Sequence, residues 1–256
     1  MKKALAVISF GTALPDARQA ISRVEETLRA ALPGYDCFRA FTSSIVRQKI
    51  ARMEGIQIPG AGELAAQLLA AGYEEVRCQS LHVMPGLEYE KMCRELAPYR
   101  EKFARFSIGS PLLATPEDCR RLCQALLAGL PERAPDEAWV YMGHGTEHFA
   151  NAVYSGLENQ FRSLGAERVY VGTVEGFPAL DYVRSRLRQR QVRRVTLAPL
   201  MVVAGDHAKN DLAGDGEDSW KSVLTRDGFE VQVDLRGLGE YAAVREHFAA
   251  HCLAGG

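Results

Sequence analysis

The sequence predicts an α/β protein built from two similar halves, each a four-stranded parallel sheet flanked by helices. Short apolar runs rich in Val, Ile, Tyr and Phe alternate with longer helical patterns along the 256 residues, which is typical of buried parallel strands joined by helices. Four such runs lie on each side of a Pro-rich polar gap at 130–137. Motifs of the first half also reappear in the second.

The elements follow in chain order. Predicted strands are 4–9, 37–41, 75–81, 105–108, 138–142, 168–173, 194–201 and 229–234. Predicted helices are 15–32, 44–54, 61–71, 87–103, 115–130, 149–164, 178–191, 217–226 and 239–252. The helix at 115–130 is the clearest, because Thr115 supplies a cap and Pro116 suits the first helical position. The gap predicts a first domain at 1–129 and a second at 136–256, whose last helix is a candidate to pack back on the first half.

Composition excludes several classes of protein. The chain is 47% hydrophobic, so it has enough apolar material to bury a core and is not disordered. No apolar run approaches the roughly 20 residues of a membrane span. The formal net charge of −1 provides no bulk attraction for nucleic acid. We therefore expect neither a nucleic-acid nor a membrane partner.

The cysteines and the N-terminus bear on the compartment. The six cysteines form no CxxC pair, and Cys119 and Cys123, four apart in a predicted helix, are interpreted as two reduced core thiols. The start, Met1-Lys2-Lys3 followed by ALAVISFGTA, imitates a short signal peptide. The internal repeat favours a buried first strand instead. We expect a reducing, cytoplasmic location.

The internal repeat consists of three motif pairs, each directly after a predicted strand. FGT at 10–12 matches HGT at 144–146, TSS at 42–44 matches TVE at 173–175, and LHVMPGLE at 81–88 matches LMVVAGDH at 200–207. Ligands of open parallel sheets bind at the carboxyl ends of the strands. The repeat therefore predicts equivalent site positions in the two halves.

Those positions carry different chemistry. The first half offers Phe10, Ser44 and Glu88, and the second offers His144, Glu175 and His207. Two imidazoles and a carboxylate suit Co²⁺, Ni²⁺, Fe²⁺ or Zn²⁺, and three protein ligands leave positions open for exchange. Singly, each residue has an ordinary alternative, such as a cap for His207 or an exposed first-turn acid for Glu175. Together they predict a metal site in the second half.

Other histidines and one basic run are less informative. His148 is interpreted either as a supporting neighbour of His144 or as a helix-surface residue, and His82 as a satisfied interior histidine. His247 and His251 are expected on a helix surface. The arginines between 184 and 194 are interpreted as a solvated face. No GxGxxG, P-loop or GxSxG motif lies at a strand–helix junction, so no nucleotide cofactor, ATP site or serine hydrolase is indicated.

The longer motifs resemble the anaerobic cobalt chelatase family. They are ISFGT (8–12), SLHVMPGLEYEK (80–91), MGHGTEHFAN (142–151), GTVEGFP (172–178), PLMVVAGDHAKNDLAGD (199–215) and DSW (218–220). The resemblance implies two flavodoxin-like domains with an active cleft between them. It also implies a lyase-type, single-subunit, ATP-independent enzyme that inserts Co²⁺ into the tetrapyrrole sirohydrochlorin during cobalamin biosynthesis.

Site roles follow from the resemblance position by position. His144, Glu175 and His207 would bind the metal, and Glu88 would be an acid facing them. His144 and Glu88 would act as the catalytic proton acceptors for the pyrrole nitrogens. Tentative substrate-binding residues are Phe10 and Met84 for the ring face and Thr12, Ser43 and Ser44 for the carboxylates. No cofactor is expected beyond the substrate metal, although Fe²⁺, Ni²⁺ and Zn²⁺ also suit the ligands, and self-association into a homo-oligomer stays open.

Three alternatives remain at this point. The same site could insert Fe²⁺ into sirohydrochlorin for sirohaem. The chain could also be a non-catalytic metal- or tetrapyrrole-binding protein, which would not need Glu88 as a base. A metallohydrolase ranks last, because no clear water-activating base accompanies the ligands.

Overall fold

The computed structural model describes residues 1–131 and 134–255, so Glu132 and Arg133 of the predicted gap lie outside the described residues. The strands are β1 Lys3–Ser9, β2 Asp36–Phe41, β3 Glu75–Ser80, β4 Arg105–Gly109, β5 Glu137–Gly145, β6 Val169–Glu175, β7 Arg194–Pro199 and β8 Glu230–Val233. The α-helices are α1 Pro15–Ala31, α2 Ser44–Glu54, α3 Ala61–Ala70, α4 Leu87–Leu96, α5 Pro116–Ala128, α6 Ala152–Ser163, α7 Leu180–Gln189, α8 Trp220–Arg226 and α9 Ala242–Ala254.

The strands form two parallel sheets with the same order. The first is β2-β1-β3-β4 and the second is β6-β5-β7-β8. This confirms the predicted fold class, two four-stranded parallel sheets flanked by helices. Since all strands of a sheet run the same way, their C-terminal ends lie along one edge, called the carboxyl edge here, and the helices that follow begin there.

The cores explain why these segments are strands. Residues of the central strand β1 are almost all buried, and Leu5 and Ile8 are fully enclosed. The central strand β5 is equally apolar, with Val140 and Met142 fully buried between its helices. Each such side chain contributes on the order of 1.5–3 kcal/mol by leaving water. The uninterrupted apolar runs of the sequence are thus strands covered on both faces.

The chain divides into two compact units. The first unit is Met1–Ala114 with Ala242–Gly256, and the second is Thr115–Tyr241. The predicted boundaries, 1–129 and 136–256, differ from this division at two helices. Helix α5 belongs to the second unit, where it packs against α6 and Cys123 Sγ lies 3.7 Å from the carbonyl oxygen of Leu157. The Pro-rich gap follows this helix and therefore does not mark the boundary.

The last helix, α9, belongs to the first unit. It packs against α1, β3 and β4. The Arg77 guanidinium donates to the carbonyl oxygen of Cys252 at 3.2 Å, and His251 Nδ1 lies 3.3 Å from the carbonyl oxygen of Ser110. The prediction that His247 lies on the helix surface is wrong, since its side chain is buried. Helix α9 has little amphipathic character, as expected of a helix that is covered on more than one side.

Helix α4 is shorter than the sequence predicts. The predicted helix 87–103 ends at Leu96 and continues as a 3₁₀ segment over Ala97–Lys102, since Pro98 has no N–H for an α-helical bond.

All six cysteines are free thiols, and burial raises the pKa of Cys123 to about 12. Among the described residues, none of the helices is both long enough and apolar enough to span a bilayer.

Candidate functional site

Two histidines meet at the carboxyl edge of the second sheet. His144 is the penultimate residue of β5, and His207 directly precedes a short π-helical turn after β7, Ala208–Leu212. Their Nε2 atoms are 3.1 Å apart, and the two rings lie at 82° to one another. Both side chains are partly exposed.

The other ring nitrogen of each histidine has an acceptor. His144 Nδ1 lies 2.9 Å from the carbonyl oxygen of Gly145, and His207 Nδ1 lies 2.6 Å from Asp211 Oδ2. A carbonyl or carboxylate oxygen accepts a hydrogen, so in the neutral imidazoles both Nδ1 atoms carry the proton. Both Nε2 lone pairs therefore face each other, which is unfavourable unless a cation or proton lies between them.

The spacing of these lone pairs suits one metal ion. Two nitrogens that each lie about 2.0–2.1 Å from one ion are roughly 3.0 Å apart at a right angle and roughly 3.3 Å apart at a tetrahedral angle. The observed 3.1 Å falls between these values. The arrangement of a carboxylate behind a ligand histidine is also the usual support of metal-binding imidazoles. The pair is thus shaped for a divalent metal with open positions.

Asp211 was missed by the sequence analysis. It stands four residues after His207, a spacing that places two side chains on one face of a helical turn. That spacing was the available signal. The motif around His207 matches the first half only over residues 200–207, so the repeat does not include Asp211.

The backbone of Glu175 lies next to that of the His144 strand in the sheet, but its carboxylate does not join the two histidines. Glu175 is the last residue of β6, is exposed, and pairs in register with Gly145. Within residues 1–131 and 134–255, the donor atoms of His144, Glu175 and His207 do not all lie within 4.8 Å of one another. The structure therefore brings together the two histidines and places only the backbone of Glu175 beside them.

The glycines on either side of His144 have steric causes. A Cβ at Gly143 would overlap the ring of Tyr154, whose hydroxyl oxygen accepts from the Gly145 N–H at 3.3 Å. Gly145 has φ +87°, and a Cβ there would overlap the carbonyl oxygen of Glu175. These glycines therefore allow the close approach of β6 and α6 that holds the His144 backbone in place.

His148 has a local role. Its Nδ1 accepts from the Ala150 N–H at 3.1 Å and so caps the 3₁₀ turn Phe149–Asn151. Its own N–H donates to Thr146 Oγ1 at 3.1 Å. It shapes the loop after β5.

In the first unit, Glu88 is the second residue of α4, at the carboxyl edge of the first sheet. Its side chain is 37% exposed, and its Oε2 is a buried atom with no hydrogen-bond partner in the described chain. The Lys91 ammonium lies 3.9 Å from this oxygen but donates its hydrogen bond to the carbonyl oxygen of Thr42, at 2.7 Å. This oxygen is therefore enclosed and faces a cation, although the Glu88 side chain as a whole is partly exposed.

His82 is a buried interior histidine. Its Nδ1 lies 2.9 Å from Ser80 Oγ and its Nε2 lies 3.5 Å from Thr42 Oγ1. Burial, reinforced by the positive charge of Lys91, lowers the pKa of His82 to about 4. Unlike the pair in the second unit, this imidazole is enclosed and has both nitrogens occupied.

The five residues predicted to bind the substrate occupy different environments. Phe10, directly after β1, is 48% exposed, whereas Met84 is only 8% exposed. Thr12 Oγ1 accepts from the Leu14 N–H at 3.2 Å, and Ser43 Oγ caps α2 by accepting from the Val46 N–H at 3.3 Å. Ser44 is exposed and lines a cavity of about 490 Å³ beside α2. Phe10 and Ser44 are therefore the most accessible of the five.

Comparison with known proteins gives concordant matches. A family model described as Cobalt chelatase (CbiK) matches residues 3–255. The sirohydrochlorin cobaltochelatase of Salmonella typhimurium is 42% identical over 254 residues, covering 98% of this chain and 95% of that protein. The sirohydrochlorin cobaltochelatase CbiKC of Nitratidesulfovibrio vulgaris is 35% identical over 256 residues, covering 99% and 90%.

A solved structure shares the fold. SirB from Bacillus subtilis with Fe³⁺ superimposes with a TM-score of 0.66 at 14% identity, and the match covers 100% of this chain and 96% of SirB. At this identity the likeness concerns the arrangement of strands and helices alone.

Proposed function

The chain belongs to the cobalt chelatase (CbiK) family and is a metal chelatase, and we propose that it inserts Co²⁺ into sirohydrochlorin without ATP, as a step of anaerobic cobalamin synthesis. The observation that carries the proposal is the 3.1 Å separation of two Nε2 atoms whose Nδ1 atoms are both engaged. A pair of neutral imidazoles binds a borderline metal such as Co²⁺ without enclosing it.

In this proposal His144, Glu175 and His207 present the ion to the macrocycle. Glu175 joins the two histidines by a side-chain movement, because its backbone already lies beside Gly145. Asp211 orients His207 by accepting from its Nδ1, which keeps the Nε2 lone pair directed at the metal. With three protein ligands the ion keeps exchangeable positions, and the ring nitrogens replace the ligands stepwise.

The reaction releases two protons for each Co²⁺ that enters the ring. As the ion leaves His144, its Nε2 lone pair becomes free to accept one pyrrole proton. Glu88 accepts the other, and the partial exposure of its side chain at the carboxyl edge supports this role. Metal and protons thus exchange in opposite directions and charge is conserved.

The remaining substrate roles rest on side-chain chemistry and, for Phe10 and Ser44 alone, also on exposure. We assign Phe10 and Met84 to the apolar ring face, and Thr12, Ser43 and Ser44 to the substrate carboxylates. The overall charge of −1 supplies no attraction for a polyanion, so local donors have to bind it. We further propose a cytoplasmic location, because six free thiols suit a reducing compartment.

The test is anaerobic spectrophotometry of sirohydrochlorin with Co²⁺ and no ATP. The wild type is expected to metallate the ring, and His144→Ala and His207→Ala to lose at least about 100-fold in rate, since each removes a metal ligand. Asn159→Ala, at an exposed position of α6 away from the two histidines, is the control and keeps the rate. Wild-type rates in both ligand variants would overturn the assignment, and Fe²⁺ in place of Co²⁺ tests the choice of metal.

A further inference from the structure

The side chain of Asn151 joins the two loops that carry His144 and Glu175. The Thr146 N–H, two residues after His144, donates to Asn151 Oδ1 at 3.1 Å. Asn151 Nδ2 donates to the carbonyl oxygen of Phe177, two residues after Glu175, at 2.6 Å. One amide therefore bridges the segments that leave β5 and β6 at the carboxyl edge.

This bridge needs an amide in particular. One end of the side chain has to accept and the other has to donate, and among short side chains only asparagine offers both in a fixed plane. The Asn151 N–H donates to the carbonyl oxygen of His148 at 2.9 Å, and α6 begins at the next residue. The amide is thus anchored at the start of a helix.

The loop after β6 lies closely on this amide. Gly176 has φ +96°, and a Cβ there would lie 3.3 Å from both the oxygen and the nitrogen of the Asn151 side chain. Gly145 and Glu175, paired in register, make the other close approach between the two segments. The Asn151 amide therefore adds a second link between the two segments, two residues after His144 and two residues after Glu175.

We propose that Asn151 is a positioning residue that sets the relative geometry of His144 and Glu175 around the metal. The inference rests on the ligand roles given under the proposed function. The Glu175 carboxylate has to move to complete the ligand set, because the three donor groups are not gathered within 4.8 Å. With its backbone held by the amide, this movement is confined to side-chain rotation, which keeps the entropic cost of binding low.

The experiment is an anaerobic titration with Co²⁺ alone, followed by the ligand-field absorption of the bound ion. It compares wild type, His144→Ala, Asn151→Ala and Asn151→Asp, with Asn159→Ala as a matched control at an exposed site of α6. Asn151→Ala removes both hydrogen bonds. Asn151→Asp keeps the acceptor for Thr146, removes the donor to Phe177 and sets a carboxylate oxygen against that carbonyl.

We expect both Asn151 variants to raise the Co²⁺ dissociation constant about tenfold and to change the ligand-field spectrum. In metallation the KM for Co²⁺ rises and the KM for sirohydrochlorin stays unchanged. A purely structural role would lower the thermal midpoint and leave the spectrum of the bound ion as in wild type. Wild-type affinity and spectrum in Asn151→Ala, or an equal loss in Asn159→Ala, would overturn the inference.

The two proposals fail separately. If wild type binds Co²⁺ but does not metallate sirohydrochlorin, the proposed function is wrong, and the effect of Asn151 is still measured on binding. If His144→Ala loses Co²⁺ and Asn151→Ala does not, only the positioning role is contradicted.

Discussion

At the carboxyl edge of the second sheet two imidazoles converge at 3.1 Å, whereas the matching positions of the first sheet hold the phenyl ring of Phe10 and the carboxylate of Glu88. The first sheet also has a histidine near this edge, His82, but it is buried between two hydroxyl groups. Strand order is identical in the two sheets. The same scaffold therefore supports different chemistry, decided by a few side chains at strand ends.

The glycines after Phe10 and His144 show the same contrast in the backbone. Both have positive φ, +94° at Gly11 and +87° at Gly145. An added Cβ would meet the Phe41 side chain at Gly11 but the backbone of Glu175 at Gly145. Phe41 is fully buried, so its ring can rotate only by displacing its neighbours, whereas the Glu175 carbonyl is fixed by the strand backbone itself. An alanine is therefore expected to be tolerated less well at Gly145 than at Gly11.

The largest expected effect tests whether the first edge is catalytic. Glu88→Gln removes a proton acceptor and keeps the shape, so kcat for Co²⁺ insertion is expected to fall about 100-fold. Co²⁺ binding without tetrapyrrole is expected to stay at the wild-type level. Glu90→Gln, on the same helix and paired with Arg94, is the control. An unchanged kcat in Glu88→Gln would favour a protein that carries metal without needing a base.

The next effect compares the two glycines. We expect Gly145→Ala to lower the free energy of unfolding by about 3 kcal/mol and Gly11→Ala by about 1–2 kcal/mol, since both are strained and only the first meets backbone. Urea unfolding followed by circular dichroism reports both units. Fluorescence of Trp139 and Trp220, the two tryptophans, reports the second unit.

Gly156→Ala is the matched control for these glycine variants. It lies within α6, where an added Cβ meets nothing within 4 Å, so it is expected to stabilise by up to about 1 kcal/mol. Equal losses in Gly11→Ala and Gly145→Ala would show that an alanine is tolerated no less well at Gly145 than at Gly11.

The smallest effect at neutral pH, which grows only in acid, concerns His82, the buried histidine of the first unit. Its pKa is about 4 in the folded protein and about 6.5 in an unfolded chain, so the unfolded state binds a proton first as pH falls. Stability is therefore retained above about pH 6.5 and lost between pH 6.5 and 4, by on the order of 1 kcal/mol per pH unit. In urea unfolding at several pH values, wild type is expected to show a steeper loss than His82→Gln. Parallel curves would contradict this.

Much of the fold was predictable, because strand and helix patterns repeat over a few residues. The five apolar residues 138–142 are enough to predict a strand. Thr115 likewise indicates the start of a helix, because it caps the first turn of α5. The sequence already made α9 a candidate to pack on the first half, whereas the affiliation of α5 with the second unit was not predicted. It depends on which sheet each helix contacts, and the Pro-rich gap at 130–137 does not encode that.

The sequence by itself determined the two sheets, their repeat and the six positions at strand ends, since hydrophobic spacing and short motifs are local properties of the chain. Tertiary structure alone decided that His144 and His207, 63 residues apart, point Nε2 at Nε2. It also decided that Asn151 ties two loops together, whereas the contact of Asp211 with His207 spans only four residues and follows from helical spacing. The long-range contacts depend on distances between distant segments, which packing sets and no spacing along the chain records.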